Sequence, residues 1–199
     1  MNTTAFVILA IVIIAIAVGI FLYLRRRRSE NLRKQFGPEY KRAVDQYGDP
    51  RKAEAELAER EKRVRKLDIR GLTTDEQNRF VDNWKKTQAR FVDGPSPAVS
   101  EADGLVKELM LARRYPVGEF EQRAADISVD HPDVVNNYRA AHEIADRNKS
   151  GKATTEDLRQ AMVHYRSLFE ELLETAPANT KEERITTERV AEKEKAHEH

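Results

Sequence analysis

The sequence predicts an all-α protein: one N-terminal transmembrane helix, a charged juxtamembrane helical segment and a small helical bundle. Three observations carry that prediction. Ala5 to Leu24 forms one apolar stretch whose only ionisable side chain is Tyr23. Beyond it Ala, Glu, Lys, Arg, Leu and Gln dominate, all of low intrinsic cost in a helix, while 8 Gly and 7 Pro are few for 199 residues. Apolar residues there recur at steps of three and four, and no run alternates with period two for long enough to make a sheet; "DISVDH" is the one short candidate. The predicted organisation is an anchor over 1–24, basic juxtamembrane and spacer helices over 25–70, a helical bundle over 71–176 and a disordered charged tail over 177–199.

The apolar stretch comes first. A helix of twenty residues rises about 30 Å, the thickness of a bilayer's hydrocarbon core. It is apolar all round rather than on one side, unlike a core helix of a small soluble domain. A cleavable signal peptide would need positive charge before a shorter apolar run and small residues after it. Here "MNTT" carries no charged side chain, and Arg25, Arg26, Arg27 and Arg28 occupy the exit. Lys and Arg beside a span stay in the cytoplasm, so the expected topology is N-terminus outside, with the C-terminal domain cytoplasmic at the cell membrane. The arginines read as a stop signal meeting the anionic inner leaflet, worth about 1 kcal/mol per charge. A nucleic-acid role is not required.

The charge distribution agrees. Residues 25–70 hold 16 basic and 9 acidic side chains, residues 71–176 hold 14 and 19, and the net charge of the chain is +1. With no cysteine, disulfides, thiolate nucleophiles and Cys-ligated metals are excluded.

After the arginines, Gly37-Pro38 should interrupt the helix, Pro38 starting a second one that Gly48 stops. Phe36, Tyr40, Val44 and Tyr47 form a stripe among basic residues. It is a candidate interfacial stripe on the inner leaflet, the other reading being packing against the soluble domain. Asp49 caps the next helix with Pro50 behind it. Glu56–Arg60, Glu59–Arg63 and Glu61–Arg65 support that helix by pairs four apart. Its thin seam of Leu57, Val64 and Leu67 reads as a solvated spacer, with a coiled-coil dimer as the second reading.

The bundle begins at Thr73, whose spacing to Glu76 is that of a capping box. Ser96 and Asp130 (or His131) are expected N-caps with prolines behind them, and Thr154 with Asp157 caps the clearest helix. The expected core is Phe80, Trp84, Leu105, Leu109, Tyr138, Leu158, Met162, Tyr165 and Phe169. The tail "PANTKEERITTERVAEKEKAHEH" has too little apolar surface to order itself.

Chemistry is sparse. Asp126, Asp130, His131 and Asp133 crowd eight residues, which raises a metal site or an enzyme using the Asp126–Asp133 loop with His142 or His164; a shared site of His142 and His164 with Glu143 or Glu170 is a separate reading. The spacing matches neither a calcium loop nor a zinc helix; helix capping is the simpler reading. No phosphate loop or dinucleotide fingerprint is present. The expectation is therefore no catalytic residue, no metal and no cofactor.

Three long phrases resemble a known family: "FGPEYKRAVDQYGDPRKAEAELAEREKRVRKLDIR", "YPVGEFEQRAADISVDHPDVVNNYRAAHEIA" and "TTEDLRQAMVHYRSLFEELL". The likeness, over roughly residues 1–174, is to uncharacterised bacterial, commonly actinobacterial, single-pass membrane proteins, usually called hypothetical membrane proteins. The resemblance implies a bacterial cytoplasmic membrane and carries over no catalytic residue. The expected function is a membrane-anchored, cytoplasm-facing helical protein–protein interaction module. Its partners would be membrane lipid and a protein, a second copy of the chain included. A lipid- or stress-responsive inner-leaflet protein is a further reading.

Overall fold

Helix-forming composition gives helices along the described residues. The computed structural model describes the backbone of residues 3–174 and the side chains of residues 11–174. Among the described residues there are seven helices and no strand: α1 (Thr3–Tyr47), α2 (Pro50–Val64), α3 (Thr74–Arg90), α4 (Pro95–Ala112), α5 (Phe120–Asp130), α6 (Val135–Lys149) and α7 (Thr155–Glu174). "DISVDH" lies mostly within α5. The expected tail, 177–199, lies outside the described residues. The chain divides into two units, residues 1–59 and 60–199, and the division falls inside α2.

In the first unit, α1 is two helices joined at Gly37, whose φ of 45° and ψ of −121° only glycine adopts easily. Pro38 follows, where a missing N–H costs nothing at a helix start. Gly48 ends α1 with φ 65°. Among the described residues no helix is long and apolar enough to cross a membrane. The expected span Ala5–Leu24 begins in residues whose side chains are not described; its described part, Ile11 to Leu24, is fourteen residues long and runs straight into Arg25.

The second unit is a helical bundle. α7 is divided along its length, with Leu158, Ala161, Met162, Tyr165, Leu168, Phe169 and Leu172 buried and Arg159, Arg166 and Glu170 outside. That 3–4 spacing forces one face inward. α7 packs chiefly on α6 and α4; α3 packs on α4, and α5 on α6. Trp84 of α3 stacks on Phe169 with ring centroids 4.6 Å apart and planes 17° off parallel. Tyr138 of α6 meets Tyr165 edge-on at 6.4 Å and Phe120 of α5 at 5.0 Å. Phe80, Leu105 and Leu109 complete this core with Leu158 and Met162.

Capping departs from the sequence reading at two places. Ser96 is not an N-cap. α4 starts at Pro95 with Gly94 before it. Both Pro95 and Pro97 fit the first turn, where N–H groups have no intrahelical acceptor, so the helix starts one residue before Ser96. Asp130 is not an N-cap either. α5 runs through it, the N–H of His131 donating to the Ile127 carbonyl at 2.8 Å, and α6 begins only at Val135 after a turn on the His131 carbonyl. Thr73 and Glu76 form a reciprocal capping box. The Asp157 N–H donates to Thr154 Oγ1 at 3.1 Å, and the Thr154 N–H to Asp157 Oδ2 at 2.8 Å. The Arg51 N–H donates to Asp49 Oδ1 at 2.7 Å.

Candidate functional site

The four arginines after the apolar stretch, Arg25 to Arg28, are all exposed. Arg26 lies 3.4 Å from Glu30. The interfacial stripe differs from its sequence reading. Phe36 and Tyr40 are buried, Val44 is half-buried and Tyr47 is 37% exposed. The reason lies in α2. Tyr40 donates its hydroxyl to Glu54 Oε1 at 2.8 Å, and Ser29 donates to the same oxygen at 2.5 Å. One carboxylate thus ties both halves of α1 to α2, and the Phe36–Tyr40 half of the stripe is enclosed where a bilayer contact would need it open.

α2 is not the solvated spacer its charges suggest. Ala53, Leu57, Arg60 and Val64 are buried, at steps of four, three and four that place them on one face. Two seam positions of the coiled-coil reading, Leu57 and Val64, are thereby covered within this chain. Of the pairs four apart, Glu61–Arg65 closes at 2.5 Å, while Arg63 turns to Asp126.

The acidic loop is drawn apart. Asp126 is fully buried in α5; its Oδ1 accepts from Arg63 Nε and Gln122 Nε2, each at 2.9 Å. Its Oδ2 is buried with no hydrogen-bond partner among the described residues. Asp130 Oδ2 accepts the Tyr115 hydroxyl at 2.6 Å. Asp133 is exposed. The histidines meet local partners. His142 stacks on Phe120 at 3.6 Å and lies 3.4 Å from Asp146; His164 Nδ1 is 3.1 Å from Asn137 Oδ1. Glu143 lies beside Arg147 and Glu170 beside Arg166. Among the described residues no group of three or more His, Asp or Glu is placed to hold a metal ion.

What the bundle does contain is a buried polar cluster where the α4–α5 connection, the end of α5 and the end of α7 converge. Arg113 is buried and donates from Nη1 to the Leu172 carbonyl at 2.7 Å. It satisfies a terminal carbonyl of α7 at the negative end of the helix dipole. Gln77 donates to the neighbouring Leu173 carbonyl at 3.3 Å. His131 is buried, with Nδ1 3.0 Å from Glu171 Oε1 and no protein partner for Nε2 among the described residues. Arg123, also buried, donates to the Tyr138 hydroxyl at 3.0 Å and to the Gly118 carbonyl.

Burial sets the electrostatics. It pushes His131 below the ordinary imidazole value, against the Glu171 hydrogen bond that pulls the other way. A neutral ring facing the Glu171 carboxylate donates from Nδ1. Burial likewise lowers Arg113, with Tyr115, Asp130 and Glu171 opposing, and raises the Tyr115 phenol, which Asp130 raises further. These groups answer one another in pairs and lock three segments together. No nucleophile stands beside a base within the cluster.

Sequence reasoning missed Arg113 and Tyr115. "ARRYP" reads as an ordinary charged helix end, and nothing local says that one arginine of the pair turns inward. Arg123 stands among the Ala124, Ala125 and Ile127 that mark the buried side of α5 and is buried with them. The chain matches no protein-family model, no curated protein and no solved structure.

Proposed function

We propose that this chain is a membrane-anchored helical interaction module of the kind the family resemblance implies, its C-terminal bundle facing the cytoplasm. One observation supports this most. From Ile11 to Leu24 every large apolar side chain stands 47–63% exposed, and four exposed arginines follow at once. In water such a surface is unfavourable by about 25 cal/mol for each Å² left uncovered. A helix apolar on every side has no face to turn outward, so lipid is its natural surrounding. The arginines then lie at the inner headgroups and set the topology. The bundle supplies a rigid body for a protein partner or a second copy. Its polar groups serve packing, and we assign it no reaction.

A reporter active only outside the cytoplasm, fused after residue 176, tests the topology. Silence is expected. Strong activity overturns the orientation, and recovery of the full chain from the soluble fraction after lysis overturns the anchor.

A further inference from the structure

We infer that a groove between the end of the apolar stretch and the start of α2 is a stoichiometric site for the phosphodiester headgroup of an anionic lipid. The groove encloses about 540 Å³ and lies wholly within residues 1–59. Arg25, Arg26, Arg33 and Arg51 line it, and Leu22 forms part of its wall. This inference rests on the membrane reading above and deepens it by naming the ligand's chemistry and its place.

Three carboxylates also reach the groove: Glu30, Asp49 and Glu54. Each is engaged by the chain itself. Glu54 accepts the Ser29 and Tyr40 hydroxyls, Glu30 lies beside Arg26, and Asp49 accepts the Arg51 N–H. Arg25 and Arg51 have no ion pair among the described residues, and Arg33 lies over the Tyr40 ring with Cζ 5.1 Å from its centroid. Arg25 and Arg51 thus bring guanidinium groups without an ion pair from two helices that Glu54 holds together. Guanidinium groups match phosphate oxygens with parallel N–H donors, and α2 adds the positive end of its dipole. Leu22 is 55% exposed and belongs to the apolar run, so the ligand's acyl chains would continue along the surface on which its headgroup ends.

A diffuse attraction between a basic segment and an anionic leaflet is the competing account, and the two separate by position. Arg27 belongs to the same run of four but does not line the groove; Arg51 is remote in sequence but does. The full chain in neutral detergent micelles is titrated with phosphatidylglycerol or phosphatidylcholine, and bound lipids are counted by native mass spectrometry. One tightly held phosphatidylglycerol per chain is expected, with phosphatidylcholine clearly weaker. Arg51→Gln and Arg33→Gln should each weaken the phosphatidylglycerol by about fivefold, the worth of one charge near a lipid surface. Arg27→Gln should leave it within about twofold, since Arg27 would contribute only at longer range through screened charge.

Equal losses for Arg27→Gln and Arg51→Gln overturn the site in favour of diffuse attraction. Binding without saturation near one, or without preference over phosphatidylcholine, overturns it too. Saturation by soluble glycerol phosphate as tight as by the lipid overturns the lipid assignment, leaving a phosphate site. Micelles do not require the helix to cross a bilayer. A failure here is therefore distinct from a failure of the topology reporter.

Discussion

Residues 11–24 and α7 both carry many large apolar side chains, yet those of one stand open and those of the other are enclosed. α7 gathers its apolar residues on one face and leaves Arg159, Arg166 and Glu170 outside. The fold then resolves the face by laying α4 and α6 on it. Residues 11–24 are apolar at every azimuth, and their large side chains stand open. A one-sided helix carries its solution in its own sequence, whereas an all-round one needs cover on every side. That contrast separates the bundle, where apolar surface is enclosed, from residues 11–24, where it is left open.

The largest effect should fall on the enclosed surface. Phe169→Ala removes a buried ring that stacks on Trp84 and should cost about 3–5 kcal/mol. Trp84 is the only tryptophan, so its fluorescence reports the bundle directly. Urea denaturation of the full chain in neutral detergent measures the loss. Ile14→Ala, on the open surface, should shift the same transition by no more than about 0.5 kcal/mol. If Phe169→Ala unfolds at the parent's midpoint, the stripe on α7 is a docking face rather than the main core contact.

A smaller loss, about 2 kcal/mol, is expected for Arg63→Ala, because the buried Asp126 side chain then loses one of its two hydrogen-bond donors among the described residues, keeping Gln122. Asp126→Asn in the same background should recover part of the loss, since the neutral amide has less need of the cation. The double-mutant cycle by urea denaturation gives the coupling. Additive losses would mean that the pair, half-exposed on the arginine side, is screened by water.

The elements were legible because helix periodicity and glycine breaks are local signals. The break at Gly37, the stop at Gly48 and the capping boxes at Thr73 and Thr154 follow from residues within one turn. The stripe on α7 was legible for the same reason. Interior polar contacts were not. Arg113 reaches the Leu172 carbonyl across 59 residues of sequence, and Arg63 reaches Asp126 across 63; nothing within a turn of either arginine marks its partner. The stripe at Phe36 and Tyr40 was visible as a stripe, but what covers it depends on the return of α2, a tertiary fact. Asp130 misled because an Asp shortly before a proline has the pattern of an N-cap, while here Pro132 sits in the turn after one helix and before the next.

The bundle should also respond to pH, through groups that residues 11–24 lack. Burial lowers His131 and His142 in the folded state, so the unfolded chain takes up protons first as pH falls. Stability from this source is complete above the unfolded value of about 6.5 and declines below it. Each histidine contributes at most about 1.4 kcal/mol per pH unit. Below about pH 4.5 the decline continues with the same sign, because hydrogen bonds hold Glu76, with Arg70 its chief donor, and Glu156, with Arg159 its chief donor, down to about 2. Urea midpoints between pH 7.5 and 5 check the sign. His131→Asn keeps a donor for Glu171 and should flatten part of the slope. Stability that rises on acidification would show that Glu171 outweighs burial at His131.

The smallest expected difference separates two hydroxyls at helix starts. Thr154 Oγ1 accepts the Asp157 N–H at 3.1 Å, and its own hydroxyl donates to Asp157 Oδ2 at 2.7 Å. Loss of such a cap costs about 1 kcal/mol, so Thr154→Ala should lower the urea midpoint of the bundle measurably. Ser96 lies inside the first turn of α4, and its exposed side chain meets no N–H among the described residues; its backbone carbonyl does the accepting, from Asn148 and Ser100. Ser96→Ala leaves that carbonyl in place and should cost less than about 0.5 kcal/mol. The two helices meet the same need differently. α7 satisfies its first N–H groups with a side chain, while α4 reduces the number of them with Pro95 and Pro97. Equal losses for the two substitutions would place the start of α4 at Ser96, and the proline account of that helix would fail.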